Sequence, residues 1–279
     1  MRIGLVGKGF IGEAFYEGMK DHYTIDVWDI DPDKCTVSSL RELVGWCDTI
    51  FVSVPTPMRK NGSCDISIVE QVVNAINRLA TTQKIVVIRS TVPPGTCERL
   101  DKSPFGISVV FNPEFLTEAN HIDDFKNQDR IVLGGKTDAA RVVENVYTKA
   151  FPGVPVVLTD WKTAEMVKYV ANTFLSTKVS FANEIKSVCD GIGVEYDRVI
   201  KIATLDKRLG TSHWKVPGPD GHRGFGGVCF PKDVSAFLAF AKKLKIPTPV
   251  IEAIWKRNIT IDRPERDWEQ LKGRAVSDN

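Results

Sequence analysis

The sequence predicts an α/β protein in which a Rossmann-type parallel sheet domain is followed by a helical domain with one long central helix. Three observations carry that expectation. Short β-branched runs alternate with amphipathic segments at 2–6, 24–29, 49–54, 84–89, 107–111, 130–133 and 154–158, the pattern of a parallel sheet covered by crossover helices. A glycine-rich turn, Gly7-Lys8-Gly9-Phe10-Ile11-Gly12, follows the first run and opens a helix. From about Asp160 the pattern changes: residues 161–189 carry Met166, Val170, Phe174, Val179, Ala182 and Ile185 at helical spacing with no glycine or proline before the end.

The boundary is therefore placed just before the long helix, giving a sheet domain over 1–158 and a helical domain over 159–262. Within the second domain the spacing predicts shorter helices over 196–203 and 233–244, separated by a glycine- and proline-rich loop at 209–228. A last helix starts near Pro249 and runs toward Asp262. The remaining segment, 263–279, shows no apolar period and reads as a solvated tail.

Composition narrows the function. With 279 residues the chain has room for two domains, and a formal net charge of +2 with dispersed lysines and arginines predicts no nucleic-acid face. No apolar run reaches the ~18 residues that span a bilayer, and Met1-Arg2-Ile3-Gly4 leads into a strand with no signal-peptide pattern, so no membrane partner and a cytoplasmic location are expected. Cys35, Cys47, Cys64, Cys97, Cys189 and Cys229 are scattered without a C-x-x-C pair, as are the four histidines. Neither a metal site nor a disulfide framework is expected.

The glycine turn points to a dinucleotide. Gly7 permits the tight turn, Gly9 lets the backbone reach a pyrophosphate at the helix N-terminus, and Gly12 allows close helix–strand packing. The second strand ends in Val27-Trp28-Asp29, near the offset expected for the acidic group that holds an adenosine ribose. Asp29 would repel a 2′-phosphate, so the expected cofactor is NAD. Asp31 competes for that role, although Asp31-Pro32-Asp33 reads more as a turn.

One further segment carries chemistry. Gly224-Phe225-Gly226-Gly227-Val228-Cys229-Phe230-Pro231-Lys232-Asp233 delivers a cysteine to a helix start, where the helix dipole favours the thiolate. Taken alone, the segment fits a nucleophile and a buried structural thiol equally well. Ser53-Val54-Pro55-Thr56-Pro57, Ser90-Thr91-Val92-Pro93-Pro94-Gly95-Thr96 and Asn112-Pro113-Glu114-Phe115-Leu116-Thr117-Glu118 each end a strand pattern abruptly. They place hydroxyls and carboxylates at the carboxyl edge of a sheet, where ligands bind, although proline also simply terminates strands. Glu165, Lys168 and Asn172 share one face of the long helix, a polar set that requires either water or a ligand.

Together these segments, with Glu165-Met166-Val167-Lys168-Tyr169-Val170-Ala171-Asn172, resemble the UDP-glucose/GDP-mannose dehydrogenase family over nearly the whole chain and in the same order. The resemblance implies NAD-dependent oxidation of a nucleotide sugar, UDP-glucose to UDP-glucuronate, in two steps through a thiohemiacetal and a thioester on Cys229. It assigns Lys168 and Asn172 to the developing oxyanion, Glu118 and Thr91 to proton transfer through water, and Asp233 to orienting that water or tuning the thiol. Cofactor contacts carry over to Gly7, Gly9, Phe10, Ile11, Gly12, Asp29, Lys34, Val54, Pro55, Thr56, Ser90, Thr91, Glu118 and Lys232. Substrate contacts carry over to Phe115, Leu116, Glu118, Lys168, Asn172, Gly226, Cys229 and Arg208, the last of which also reads as a surface arginine.

The chain departs from the family in places. Between Lys34 and Ser39 the family has a longer insert with a further strand, Ala119 stands for a usual glycine, and the family's third, nucleotide-binding domain is expected to begin about where the chain stops, at Asn279. The sugar nucleotide would then fall to the 209–228 loop, with Trp214, Lys215, His222 and Arg223 as candidates, and to a partner subunit. Two other functions remain open: a single-oxidation hydroxyacid dehydrogenase of the 6-phosphogluconate-dehydrogenase-like class, and a non-catalytic NAD-binding assembly subunit. The apolar excess on the long helix makes it the expected seam of a homodimer.

Overall fold

A computed structural model describes residues 2–101 and 106–277. The first half of the chain alternates strand and helix: β1 Arg2–Val6, α1 Phe10–Met19, β2 Thr24–Trp28, α2 Leu40–Trp46, β3 Thr49–Val52, α3 Ser67–Leu79, β4 Lys84–Ile88, α4 Thr96–Leu100 and β5 Ile107–Phe111. It continues through α5 His121–Lys126, β6 Ile131–Gly135, α6 Thr137–Ala150 and β7 Val156–Thr159. Four helices follow: α7 Trp161–Gly191, α8 Tyr196–Ala203, α9 Cys229–Lys243 and α10 Pro249–Arg257. The chain forms two compact units, one comprising Met1–Thr56 with Asp65–Lys168 and the other Pro57–Cys64 with Tyr169–Asn279. The division falls inside α7.

The first unit is a seven-stranded sheet of order β2-β1-β3-β4-β5-β6-β7. Alternation along the strands sorts its core into two layers. Val6, Ile50, Val52, Val86, Ile88, Val109 and Phe111 pack with α2, α3 and α4, whereas Ile3, Leu5, Phe51, Val87 and Val110 pack with α1, α5 and α6. Strands buried on both faces explain why the runs read as continuous β-branched stretches.

One expectation about this sheet is corrected. All pairs are parallel except β5 with β6, which is antiparallel. The connecting helix α5 has six residues and spans about 9 Å at ~1.5 Å per residue, too little to carry the chain back along a strand before re-entry. The chain therefore re-enters from the carboxyl edge and β6 runs in reverse, with only Val110 and Phe111 in register.

The second unit differs from expectation at two helix ends and in the tail. Helix α9 starts at Cys229, four residues before the expected Asp233, because Pro231 sits in the first turn, where its missing N–H would have no helical partner anyway. The last helix is regular to Arg257 and closes with a π-helical turn over Asn258–Asp262. Buried Asn258 there exchanges hydrogen bonds with the backbone of Phe225, donating at 2.9 Å and accepting at 2.8 Å.

The segment after Asp262 is not a solvated tail over its described part. Trp268 is buried beside Trp255, with ring centroids 5.9 Å apart. Arg263 is buried and forks onto Asp267 at 2.7 and 2.6 Å while reaching Asp220 at 2.6 Å. Met58 then hydrogen-bonds to Ala275 and Ser277, so the segment closes onto the 57–64 hairpin. Residues 278 and 279 lie outside the described residues. A single aromatic anchor and a buried ion network leave no periodic trace, which is why sequence pattern missed them.

Trp268→Ala is expected to destabilise the protein by about 3–5 kcal/mol in urea unfolding at pH 7, a core-sized loss. A change within about 0.5 kcal/mol would return the segment to the class of surface residues.

Candidate active site

The glycine turn has the geometry of a phosphate cradle. Gly7 adopts φ +87°, and a Cβ there would meet the Ser53 carbonyl oxygen at 2.8 Å. A Cβ on Gly12 would lie 2.0 Å from the Gly7 carbonyl oxygen, so only glycine lets α1 start this close to the turn. At Gly9, by contrast, a Cβ would meet nothing within 4 Å. The open side is thus at the middle glycine, next to a helix N-terminus that no side chain caps. The Asp29 carboxylate accepts from the Lys8 amide at 2.6 Å and the Asp31 amide at 2.9 Å, which fixes it beside the turn. These residues fit a dinucleotide. Phe10 stacks obliquely on His121, and Lys34 pairs with Asp31 at 3.5 Å.

At the carboxyl edge the predicted hydroxyls are buried. Ser90 donates to the Val54 carbonyl at 2.6 Å, so this side chain braces the loop after β3. Thr56 and Thr91 are buried, and Pro55 is exposed.

The strongest electrostatic feature of the first unit joins α7 to the loop after β5. The Lys168 ammonium, its side chain 2% exposed, donates to the Glu114 carbonyl at 2.7 Å and to its carboxylate at 2.9 Å. The other carboxylate oxygen accepts from the Leu116 amide at 2.8 Å. Burial alone would raise the Glu114 pKa, but Lys168, the Leu116 amide and the charge of Arg89 outweigh it and hold the group below the ordinary carboxylate value. Phe115 lies over this pair on one side and under the Arg130 guanidinium on the other, at 5.8 and 4.2 Å. Glu118 is exposed in the same loop. Sequence reasoning quoted Glu114 within its motif but gave it no role; the available signal was a carboxylate directly after a proline-terminated strand.

Glu165 needs neither water nor ligand. Its fully buried carboxylate accepts from the Gly95 and Cys97 amides at 2.5 and 2.8 Å, capping α4. Burial, opposed by those amides, raises its pKa. The polar face of α7 therefore splits into a capping group and a charged group in this unit.

In the second unit, Asn172, Asp233 and Lys232 form one buried chain. Asn172 donates to one oxygen of Asp233 at 2.5 Å, and Lys232 donates to the other at 2.5 Å. Burial pulls the Lys232 pKa down, but Asp233, Cys229 and Cys64 outweigh it and hold the ammonium above the usual lysine value. Cys229 is the first residue of α9. Gly226 lets the Arg263 guanidinium approach, since a Cβ there would sit 2.3 Å from it. Arg208 is exposed and forked onto Asp206 at 3.0 and 2.5 Å.

Comparison with known proteins gives two matches, one to each part of the chain. Residues 42–151 match the model of the UDP-glucose/GDP-mannose dehydrogenase family, NAD binding domain, and residues 162–260 match the central domain of that family. The UDP-glucose 6-dehydrogenase of Rickettsia bellii is 35% identical over 249 residues, covering 87% of this chain and 56% of that protein. The chain spans about half the length of the curated relatives it matches. A UDP-glucose dehydrogenase structure from Pyrobaculum islandicum superposes with a TM-score of 0.82 at 29% identity, over 92% of this chain and 67% of that one. A 3-hydroxyisobutyrate dehydrogenase from Mycobacterium tuberculosis, with a TM-score of 0.77 at 14% identity over 95% of each chain, shares the fold alone.

The ion pair sets a pH dependence. A carboxylate with a lowered folded pKa adds stability that is complete above its unfolded value near ~4.3 and is lost as pH falls through the folded value. Glu114→Gln should therefore lower stability at pH 7 and flatten the acid limb below about pH 4.3. Lys168→Met, which strands a buried carboxylate, should cost about 3–5 kcal/mol at pH 7. Urea titrations from pH 3 to 7 check both; an unchanged acid limb in Glu114→Gln would show that the pair does not govern it.

Proposed function

The chain belongs to the UDP-glucose/GDP-mannose dehydrogenase family, and from that premise we propose that it is an NAD-dependent nucleotide-sugar 6-dehydrogenase that takes UDP-glucose to UDP-glucuronate. The observation that carries this reading is the α9 N-terminus: Cys229 occupies its first position, with the buried Lys232–Asp233–Asn172 chain built into the same unit. Such a setting favours a thiolate, the reactive form of cysteine. A single oxidation of an alcohol has no use for it.

When bound, NAD supplies the hydride-accepting nicotinamide. The cradle of Gly7, Gly9, Phe10, Ile11 and Gly12 would hold its pyrophosphate and Asp29 its adenosine ribose, with Lys34, Val54, Pro55, Thr56, Ser90, Thr91, Glu118 and Lys232 as the remaining contacts. Asp29 also disfavours a 2′-phosphate, which argues for NAD over NADP. In the first oxidation the C6 hydroxyl loses its proton through a water held by Glu118 and Thr91, and loss of the C6 hydride leaves an aldehyde. Cys229 Sγ attacks that carbon, forming a C–S bond and an alkoxide that Lys168 and Asn172 stabilise as donors. Loss of a second hydride converts the thiohemiacetal to a thioester. Water oriented by Asp233 then hydrolyses it, releasing the carboxylate and restoring the thiol.

Glu114 is a positioning residue in this scheme. By accepting from Lys168 it keeps the ammonium charged and fixed at the strand end, ready to face developing negative charge. Phe115, Leu116, Gly226 and Arg208 would complete the sugar-nucleotide contacts.

A homodimer through α7 is part of the same proposal. Val170, Phe174, Phe181 and Val188 fall on one stripe of the helix and are each more than half exposed, an apolar seam of heptad spacing. Sedimentation velocity should show a dimer that Phe174→Lys combined with Phe181→Lys converts to monomer. A wild-type monomer at all concentrations would remove this part of the proposal.

The activity test is the stoichiometry of NADH formed per UDP-glucose consumed, which the four-electron pathway sets at two. Cys229→Ser should abolish release of the acid, and Lys168→Ala should lower kcat by about 10²–10³-fold, as loss of an oxyanion donor does. Folded protein that reduces no NAD with any of a panel of nucleotide sugars would refute the proposal. Undiminished turnover in Cys229→Ser would favour the single-oxidation hydroxyacid class.

A further inference from the structure

Arg89, directly after β4, is 2% exposed, and its position in the fold is unlike that of the other buried charges of its unit. Asp26 is forked by Arg2 at 2.7 Å, Lys84 meets Asp48 at 2.8 Å, Asp101 meets Lys136 at 2.6 Å and Glu114 meets Lys168 at 2.9 Å. Glu165 has two backbone amides. Among the described residues, Arg89 has no carboxylate within ion-pair distance. Its Nη1 donates to the Ile11 carbonyl at 3.3 Å, and its buried Nε has no hydrogen-bond partner. The guanidinium carbon lies 5.2 and 5.0 Å from the ring centroids of Phe15 and Phe125, close enough for their π faces to offset part of the desolvation.

A buried cation without a counter-ion is costly to the folded state unless something anionic arrives. The Ile11 carbonyl belongs to the first turn of α1, so the guanidinium sits beneath the end of the helix that the glycine cradle leaves open and uncapped. We propose that Arg89 is a buried electrostatic determinant of pyrophosphate affinity, its charge adding to the α1 N-terminus to attract the phosphates of the dinucleotide. The inference rests on the NAD reading above and extends it to a residue outside the glycine fingerprint. In a low-dielectric interior such a charge acts through several ångströms of protein with little screening by salt. Glu114 feels the Arg89 charge but already pairs with Lys168, so the empty protein carries net positive charge here, which a dinucleotide would offset.

The test is NADH titration by fluorescence at two salt concentrations, alongside calorimetric titration with adenosine, which shares the ribose contacts and lacks phosphate. Wild type should bind NADH, and Arg89→Met should weaken NADH binding at least about tenfold. Adenosine affinity should stay within about twofold, because adenosine brings no phosphate to the site. Arg89→Gln removes the charge and keeps a polar side chain, so it should weaken NADH binding as Arg89→Met does and serves if the methionine variant does not fold. Arg89→Lys should remain within about threefold of wild type. Unchanged NADH affinity in the uncharged variants, or an equal loss for adenosine, would overturn the inference alone. Failure of wild type to bind NADH would overturn it together with the NAD reading.

Discussion

The buried pair between Lys168 and Glu114 constrains more of the first unit than any other single contact. Two opposite charges removed from water are tolerable only at close range and with their remaining valences met, and here the carboxylate takes both the ammonium and the Leu116 amide. The loop after β5 cannot drift without separating them, and α7 cannot rotate without doing the same. The second bond, from Lys168 to the Glu114 carbonyl, fixes the backbone as well as the side chain. One ion pair thereby sets where the helix begins its course relative to the carboxyl edge of its own sheet. In the proposed reaction the same contact would hold the ammonium in place for chemistry, so that stability and function would draw on one geometry.

Around that pair the unit distributes charge in an ordered way. Acidic groups that serve the scaffold are neutralised locally: Glu165 by the amides of α4, Asp26 by Arg2, and Asp101 by Lys136 and the Val109 amide. Positive charge, in contrast, is in excess near the strand ends, since Glu114 pairs with Lys168 and is the carboxylate on which the Arg89 charge also acts. The dipole of α1 adds to that excess. A formal net charge of +2 for the whole chain says little about this, because charges shielded from water weigh most in the field that an anionic ligand meets.

Much of the architecture was legible because it depends on periodicity. Strands buried on both faces wrote themselves as β-branched runs, the long helix as an uninterrupted apolar repeat, and the glycine turn as three glycines whose separate steric reasons the structure bears out at Gly7 and Gly12. What escaped depends on single contacts. Nothing local in 112–130 states that β6 will run in reverse; that follows from the short reach of α5. Nothing in the tail states that Trp268 is a core residue or that Arg263 is buried among carboxylates. Among the candidate site residues, Lys168 and Asn172 stood out because polar groups on an apolar helix demand explanation. Glu165 stood out for the same reason and proved to be a cap. Glu114 and Arg89 were hidden because a charged residue beside a strand looks, in sequence, like any other strand end.

Fold likeness cannot separate a four-electron from a two-electron dehydrogenase, as the superposition on a 3-hydroxyisobutyrate dehydrogenase at 14% identity makes plain. The difference has to reside in a few atoms, and the proposed reaction puts them at the start of α9. The thiol stands at the first position of a 15-residue helix, three residues before Lys232, which is itself held by Asp233. The proposed reaction calls for the thiolate there, the form that a helix N-terminus favours. Lys232 and Asp233 are both buried and are neutralised by each other, an arrangement that hydrophobic side chains would replace at no loss of stability. That polar cluster is difficult to account for as scaffold and straightforward to account for as the support of a nucleophile.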